Sequence, residues 1–579
     1  MKVRRPFLLL FVLALVVAAY YPVIFAEVCS VDDQKMLEGI KGMSDVSLNS
    51  LFFPGGANGW YYRPLIGATF FGDRYLHGLN TQFMHLFNIL LQLLNTLLVY
   101  AVTLLLTPAE KRRDSLVPVV AAAIFGLHPL ATESVSWLSG RTDLLAGFFL
   151  LLSVTLLLKF RENGKWLFTL GAFAALLSAL LAKESAAAFL PGFLLLLICR
   201  APGRSADPVN NRCSLSLFTR IMICIGAIAV GIRGIIFIRS LVFHSSANNM
   251  SWTVKFMLND LTHTLFVCLG GVGFYLKKMV IPWPLNFAIV EIDPLYELLG
   301  MGVVGITFWV LSRNSLRASL WVAGVILLAP SFLIAFNQIA WTPYAERYAY
   351  LPLALMAPAF ISWFFESVGK KSRRTAVLPT LLLLLIFGGS VFARSVTWSS
   401  NFALIRDTAQ VSPSAPGIKG LYVLKLIEQE RFAEAERHAG ELKKLTSVGY
   451  DPRSDAIMSY LLMKKGSSVQ ALAQLKALTS RKSDYDLFVT NLLLDVIEEA
   501  SIRRELSVTA IVTPEEIGRY GDVIFNSSHD YFIYYRLGKI FNRLRLPDDA
   551  RVMFTKAVNG MPSTDPLRPI IQRHIPVNP

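Results

Sequence analysis

The chain has 579 residues, 54% of them hydrophobic and 17% charged, with a mean hydropathy of +0.50. A soluble protein of this length carries roughly a quarter of its residues charged, so an ordinary soluble enzyme, a disordered chain and a fibre are excluded. Five cysteines, odd in number and scattered, show no CxxC or Cys/His spacing, which excludes a disulfide scaffold and points to no structural metal.

Leucine-rich runs follow along the chain at 7–26, 83–106, 117–134, 143–158, 166–182, 186–199, 219–238, 296–312, 318–336, 347–365 and 376–394. Alone or with their flanks they reach the ~20 residues that cross a ~30 Å hydrocarbon core. The first follows Met1-Lys2-Val3-Arg4-Arg5, and Ile24-Phe25-Ala26 is a poor cleavage site, so it reads as an uncleaved span. Beyond residue 400 the sequence turns polar and amphipathic. The expected domains are therefore a membrane domain over 1–398, with an outer loop at 27–82, and a second domain over 399–579. The fold class is all-α: a polytopic membrane protein of about eleven spans followed by an extracytoplasmic helical-repeat domain.

Short loops rich in Lys and Arg stay cytoplasmic. Lys2, Arg4 and Arg5 place the N-terminus inside and residues 27–80 outside. Lys111/Arg112/Arg113, Lys159/Arg161/Lys165 and Arg200/Arg204/Arg212/Arg220 then fall inside by alternation. Arg313/Arg317 and Lys370/Lys371/Arg373/Arg374 do so only if residues 239–295 begin and end outside. Residues 255–282, moderately apolar but holding Asp260, His263, Lys277 and Lys278, are therefore expected to form an interfacial or re-entrant excursion rather than a span. The tail then lies outside. The net charge of +16 reflects cytoplasmic loops held against anionic lipid and calls for no nucleic-acid partner.

Three pieces of the tail read as helical repeats. Tyr534-Tyr535-Arg536-Leu537-Gly538-Lys539-Ile540-Phe541, then Asp549-Ala550, Phe554 and Pro562, follow the tetratricopeptide pattern. Arg431-Phe432-Ala433-Glu434-Ala435-Glu436 and Val469-Gln470-Ala471-Leu472-Ala473 resemble second helices. Ala435 and Ala471 stand 36 residues apart, near the ~34-residue period.

Ionisable residues crowd the expected outer rim. The first loop opens with Asp32-Asp33 and runs through Tyr61-Tyr62-Arg63-Pro64 to Asp73-Arg74. His128, Glu133, Arg141 and Asp143 follow in the second, Lys183-Glu184 in the third, and Glu346-Arg347 in the last. Charges at span ends are individually cheap; their concentration at one face is the signal. A carboxylate such as Asp32 or Asp33 accepts a proton from an acceptor hydroxyl, and repulsion between neighbours raises one pKa toward general-base use. Arg63, Arg141, Lys183 and Arg347 supply cations for a phosphate leaving group. An outward site has no ready nucleotide sugars, which favours a lipid-linked phosphate donor.

These stretches resemble the GT-C class of polyprenyl-phosphate-sugar glycosyltransferases, and within it the transmembrane and tetratricopeptide-repeat-containing O-mannosyltransferases. The resemblance is carried by Asp32-Asp33, Tyr62-Arg63-Pro64-Leu65 and His85 with Asn88. It continues through Phe125-Gly126-Leu127-His128-Pro129 with Thr132-Glu133-Ser134-Val135 and Gly140-Arg141-Thr142-Asp143. Lys183-Glu184 and Ala345-Glu346-Arg347-Tyr348 with Tyr350-Leu351-Pro352 complete it. It covers most of 27–400; the tail departs in being shorter and more degenerate than a typical array. The resemblance implies an inverting transfer, mannose by family habit, from a dolichyl or undecaprenyl phosphate to a hydroxyl acceptor on a protein or glycan, with contacts through 399–579. It implies that a first-loop acidic residue is catalytic, leaving Asp32 and Asp33 as alternatives. It commits to no cofactor and leaves a divalent metal open.

The short loops suggest a bacterial inner membrane with the site and tail periplasmic; in a eukaryote the membrane would be that of the endoplasmic reticulum. Rival readings are an O-antigen-type ligase or polymerase with a diphosphate-linked donor, a membrane-anchored repeat scaffold, and a transporter. The first wants a large late outer loop, whereas here the extended loop comes early. The transporter wants ionisable groups within spans and an internal repeat of spans. No Gly-x-Ser-x-Gly elbow supports a serine hydrolase. Asn249-Met250-Ser251 fits a glycosylation sequon of little weight.

Overall fold

The computed structural model describes residues 5–42, 62–113, 115–198, 216–243, 257–313, 315–337, 342–367, 377–446, 452–479, 486–503, 508–528, 531–561 and 568–575. Much of the first outer loop with Tyr61, the basic stretches around 204 and 371, the sequon and Pro562 lie outside them. Regular structure among the described residues is helical, apart from an isolated bridge between Ile289 and Tyr344. The chain is an all-α polytopic membrane protein. It divides into two compact units, 1–411 and 412–579.

Among the described residues, seven helices of the first unit are long and apolar enough to cross a membrane: Arg5–Phe25, Thr81–Leu106, Leu138–Asn163, Leu295–Ser312, Leu316–Phe336, Glu346–Ser367 and Val377–Trp398. Four shorter apolar helices, Val117–Gly126, Trp166–Ala182, Glu184–Ile198 and Leu217–Gly231, fall on the other apolar runs. The run at 117–134 is not one helix. It stops at Gly126 and resumes only at Ala131–Ser136, because Pro129 donates no hydrogen bond and biases His128 away from helix.

Helix Leu261–Val280 begins with the His263 ring 5.2 Å from Phe336, at the end of one span. Just beyond its last residue, Trp283 meets Phe387 and donates its indole N–H to Ser390 at 3.2 Å, midway along Val377–Trp398. The chain then returns, placing Phe287 5.0 Å from Trp398 at that span's end. It enters the bundle beside one span end and leaves beside another. Close packing on Leu295–Ser312 needs glycine: a Cβ on Gly273 would lie 1.9 Å from the Tyr296 carbonyl oxygen, and one on Gly300 equally near that of Leu269.

Helix Asn401–Val411 belongs to the first unit, about a dozen residues past the apolar limit that the sequence suggests. In the second unit three of the described helix pairs share one turn. Pro416–Glu428 with Phe432–Leu445, Pro452–Lys464 with Ser468–Thr479, and Phe532–Arg543 with Pro547–Gly560 are joined through a left-handed residue. These are Glu430 (φ 58°), Gly466 (φ 99°) and Arg545 (φ 62°). In each, the next N–H reaches the carbonyl five residues back at 2.9 Å: Arg431 to Leu426, Ser467 to Leu462, Leu546 to Phe541. This is the Schellman closure of a helix C-terminus.

Candidate functional site

Asp32 and Asp33 have different environments. Asp33 opens helix Asp33–Gly42 and is buried. Its carboxylate accepts the Ser139 N–H at 3.0 Å, the Ser139 hydroxyl at 2.6 Å and the Leu138 N–H at 3.3 Å. Burial pushes its pKa up to about 6 in spite of these bonds. Asp32 is exposed, and its backbone carbonyl accepts the Met36 N–H of the first helical turn. The first loop is thus pinned to the second by one carboxylate of the pair, and the other is left facing out.

Three acid–base pairs gather around this junction. Arg347 donates its backbone N–H to Glu133 Oε2 at 3.0 Å and pairs its guanidinium with Oε1; the guanidinium also lies 4.8 Å over the Trp137 ring. Lys183 Nζ meets Asp143 Oδ1 at 2.5 Å and lies 5.8 Å from the Tyr348 ring centre. Arg63 takes Glu184 in a two-pronged fork at 2.7 and 2.9 Å. The pairs sense one another. Burial holds the Lys183 ammonium below the usual lysine range against the pull of Asp143, and the charges of Arg63 and Arg347 push the same way. Burial likewise raises the Glu133 carboxyl, opposed by Arg347 and reinforced by Glu346.

Arg141 faces elsewhere. It is wholly buried, with its guanidinium bonded to Asp73 Oδ2 at 2.5 Å, Asn88 Oδ1 at 3.1 Å, Thr69 Oγ1 at 3.3 Å and the Met84 carbonyl at 3.2 Å. Phe70 and Phe87 cover its faces at 4.3 and 4.8 Å. It ties helix Pro64–His77 to Thr81–Leu106 and to its own helix Arg141–Asn163, so of the four cations named from the sequence it is the one set apart from the cluster.

His128 and Glu346 anchor the end of helix Leu261–Val280 and the chain that follows it. The His128 Nε2 hydrogen bonds to the Met279 carbonyl at 3.0 Å, and its Nδ1 accepts the Leu130 N–H at 3.3 Å. This fixes the neutral tautomer with the proton on Nε2. Glu346 Oε1 accepts from Lys278 Nζ and from the Asn286 N–H, both at 2.8 Å. Lys278, Asp73 and Trp137 belong to the site's framework and are not singled out as site residues by the sequence. The available signal for Lys278 is a double lysine in an otherwise apolar segment. His85, buried beside Arg141, has no hydrogen-bond partner on either ring nitrogen among the described residues. Among the described residues no group of three or more His, Cys, Asp or Glu side chains is disposed to hold a metal ion.

The fold and this charged end define an all-α polytopic membrane protein with paired acids and bases converging from loops far apart in sequence. The comparison with known proteins agrees with the motif resemblance. A protein O-mannosyl-transferase of Caenorhabditis elegans is 26% identical over 370 residues, 61% of this chain and 49% of that protein. The Homo sapiens protein O-mannosyl-transferase TMTC1 is 35% identical over 94 residues, 16% of this chain and 10% of that protein. The matched region thus spans about half the length of the first relative and a tenth of the second. No family model matches the chain, and no solved structure does.

Proposed function

We propose that this protein is a membrane glycosyltransferase that moves a sugar, mannose by its resemblance, from a polyprenyl-phosphate donor to a hydroxyl acceptor. The observation that carries the reading is the convergence of Arg63, Lys183 and Arg347, each held by a carboxylate, in a chain whose relatives are named O-mannosyl-transferases.

In this reading the acceptor oxygen attacks the anomeric carbon as its proton passes to a carboxylate. The bond from that carbon to the lipid phosphate oxygen breaks, and the electron pair leaves with the phosphate, inverting the centre. Asp32 is assigned as the proton acceptor because it is exposed, whereas the Asp33 carboxylate is taken up by Ser139 and Leu138. Arg63, Lys183 and Arg347 take the leaving phosphate. Each is held by a carboxylate in this structure, which keeps the cations oriented and the site near neutral until the donor brings its own negative charge. Arg141, His128 and Glu346 hold the frame that places them.

The basic loops orient the charged end and the C-terminal unit outward: into the periplasm for a bacterial host, into the lumen for an endoplasmic reticulum host. The thrice-repeated turn and the buried Ala435, Ala471 and Ala550 support a tetratricopeptide-like array in residues 412–579 that presents the acceptor.

The test is purified protein in lipid with radiolabelled polyprenyl-phosphate mannose, glucose or arabinose and a panel of acceptor extracts. Transfer by the wild type that collapses in Asp32→Asn supports the reading. No turnover with any donor, alongside intact partner binding through residues 412–579, would make the protein a scaffold.

A further inference from the structure

Residues Glu27–Asp33 carry the acidic pair, and most of this segment lies outside regular structure. Its far end is held by the Asp33 carboxylate. Its near end is held from the opposite end of the membrane unit's sequence. The Asn401 side chain accepts the Ser30 N–H at 3.1 Å and donates to the Val28 carbonyl at 2.8 Å. Its backbone N–H donates to the Glu27 carboxylate at 2.8 Å, while the Glu27 N–H donates to the Ser399 carbonyl at 3.1 Å. An asparagine amide carries an acceptor oxygen and a donor nitrogen side by side, so this one side chain engages both the Ser30 N–H and the Val28 carbonyl. Beneath the segment, Cys29 packs with Trp137, Phe287, Trp398 and Leu404, with Val31 against them.

We propose that Asn401 is a positioning residue that clamps residues 28–30 and thereby sets where the Asp32 carboxylate stands. The functional part rests on the transferase reading above; the clamp itself does not. Helix Asn401–Val411 ends the first unit, so the loop near that unit's start in sequence is tied to its end. The helix has a second attachment, the Arg394–Asp407 pair, which runs back to the preceding span rather than to residues 27–33 and serves as a control for docking in general.

The experiment compares full-length wild type, Asn401→Ala, Asn401→Asp and Asp407→Asn in lipid. One readout is kcat and donor KM for transfer from polyprenyl-phosphate mannose. The other is the rate at which maleimide labels Cys29, mapped by peptide mass spectrometry. Cys29 is buried, with its pKa raised to about 12, so it is protected while the clamp holds.

Asn401→Ala is expected to lower kcat about 10- to 100-fold with donor KM changed less than about two-fold, as for a misplaced catalytic group. Cys29 labelling should quicken by a factor of about ten or more. Asn401→Asp keeps the acceptor for Ser30 but not the donor for Val28, and should fall between. Asp407→Asn should match wild type in both readouts. Wild-type kcat and Cys29 protection in Asn401→Ala overturn the proposal, as does an Asp407→Asn protein equally impaired. If the wild type transfers no sugar, the transferase reading fails alone, and Cys29 labelling still decides whether Asn401 clamps the loop.

Discussion

In the membrane unit the side chains of Arg141 and Asp73 are 0% and 9% exposed; in the C-terminal unit those of Arg519 and Glu515 are 60% and 77% exposed. Both are ion pairs, and they do different things. An exposed pair one helical turn apart contributes a few tenths of a kcal/mol and is screened by salt. A buried pair must offset the desolvation of two charges, and apolar residues of similar volume often serve stability as well or better. Such pairs in an apolar bundle are therefore weak evidence for stability and stronger evidence for a site whose charges must be held in place. The pairs Lys278–Glu346 and Lys183–Asp143 are similarly enclosed. The C-terminal unit shows the opposite arrangement, with pairs such as Lys465–Glu436 at its surface and an apolar interior of Ala435, Leu472, Leu493 and Phe554.

The sharpest test of this contrast is chemical. Asp32→Asn should reduce sugar transfer by about 10²- to 10⁴-fold, the range of general-base catalysis, with donor binding retained, as read by single-turnover assay. Glu515→Gln, which removes a solvent-facing charge of the C-terminal unit, should leave the same rate unchanged.

Next in size, Arg141→Met should destabilise the membrane unit by about 3–5 kcal/mol, since it leaves Asp73 buried without its arginine. Thermal unfolding in detergent measures this, and Arg141→Met combined with Asp73→Leu should recover most of the loss. A double variant no better than the single would show that the arginine's contacts to Asn88, Thr69 and Met84 matter more than its charge.

Asp33 gives the contrast a pH dependence. Burial raises its pKa from 3.8 to about 6, so the folded protein binds this proton more tightly than the unfolded chain does. The stabilisation from protonation is full below about pH 3.8 and is lost as pH rises through about 6. Melting curves across this window should show a decline in the wild type that Asp33→Asn lacks.

The smallest effect lies in the C-terminal unit. Arg545 is exposed and left-handed in a turn that suits glycine. Arg545→Gly should stabilise that unit by up to about 1 kcal/mol through relief of the strained φ, as read by thermal unfolding. A loss of stability would show that the side chain has a role beyond the turn.

The apolar runs, the charged rim and the motif resemblance are legible in the sequence because each depends on composition within a short window. Hydrophobic length is a local property, and so is the break at His128-Pro129, although reading that break requires weighing one proline against a long apolar run. The helix Asn401–Val411 illustrates the limit. Its amphipathic sequence looks like the rest of the tail, yet its asparagine is engaged with residues 28 and 30 of the first loop.

Residue types and their local order suffice to make this an all-α membrane protein, since burying apolar surface and solvating charge are settled residue by residue. Which charge meets which is a property of the closed chain alone. Arg141 and Asp73 are 68 residues apart, Arg347 and Glu133 are 214, and Asn401 and Ser30 are 371. Burial acts on each group only after distant segments have packed around it. That is what separates Asp33, enclosed and bonded to Ser139, from the exposed Asp32 beside it in the chain.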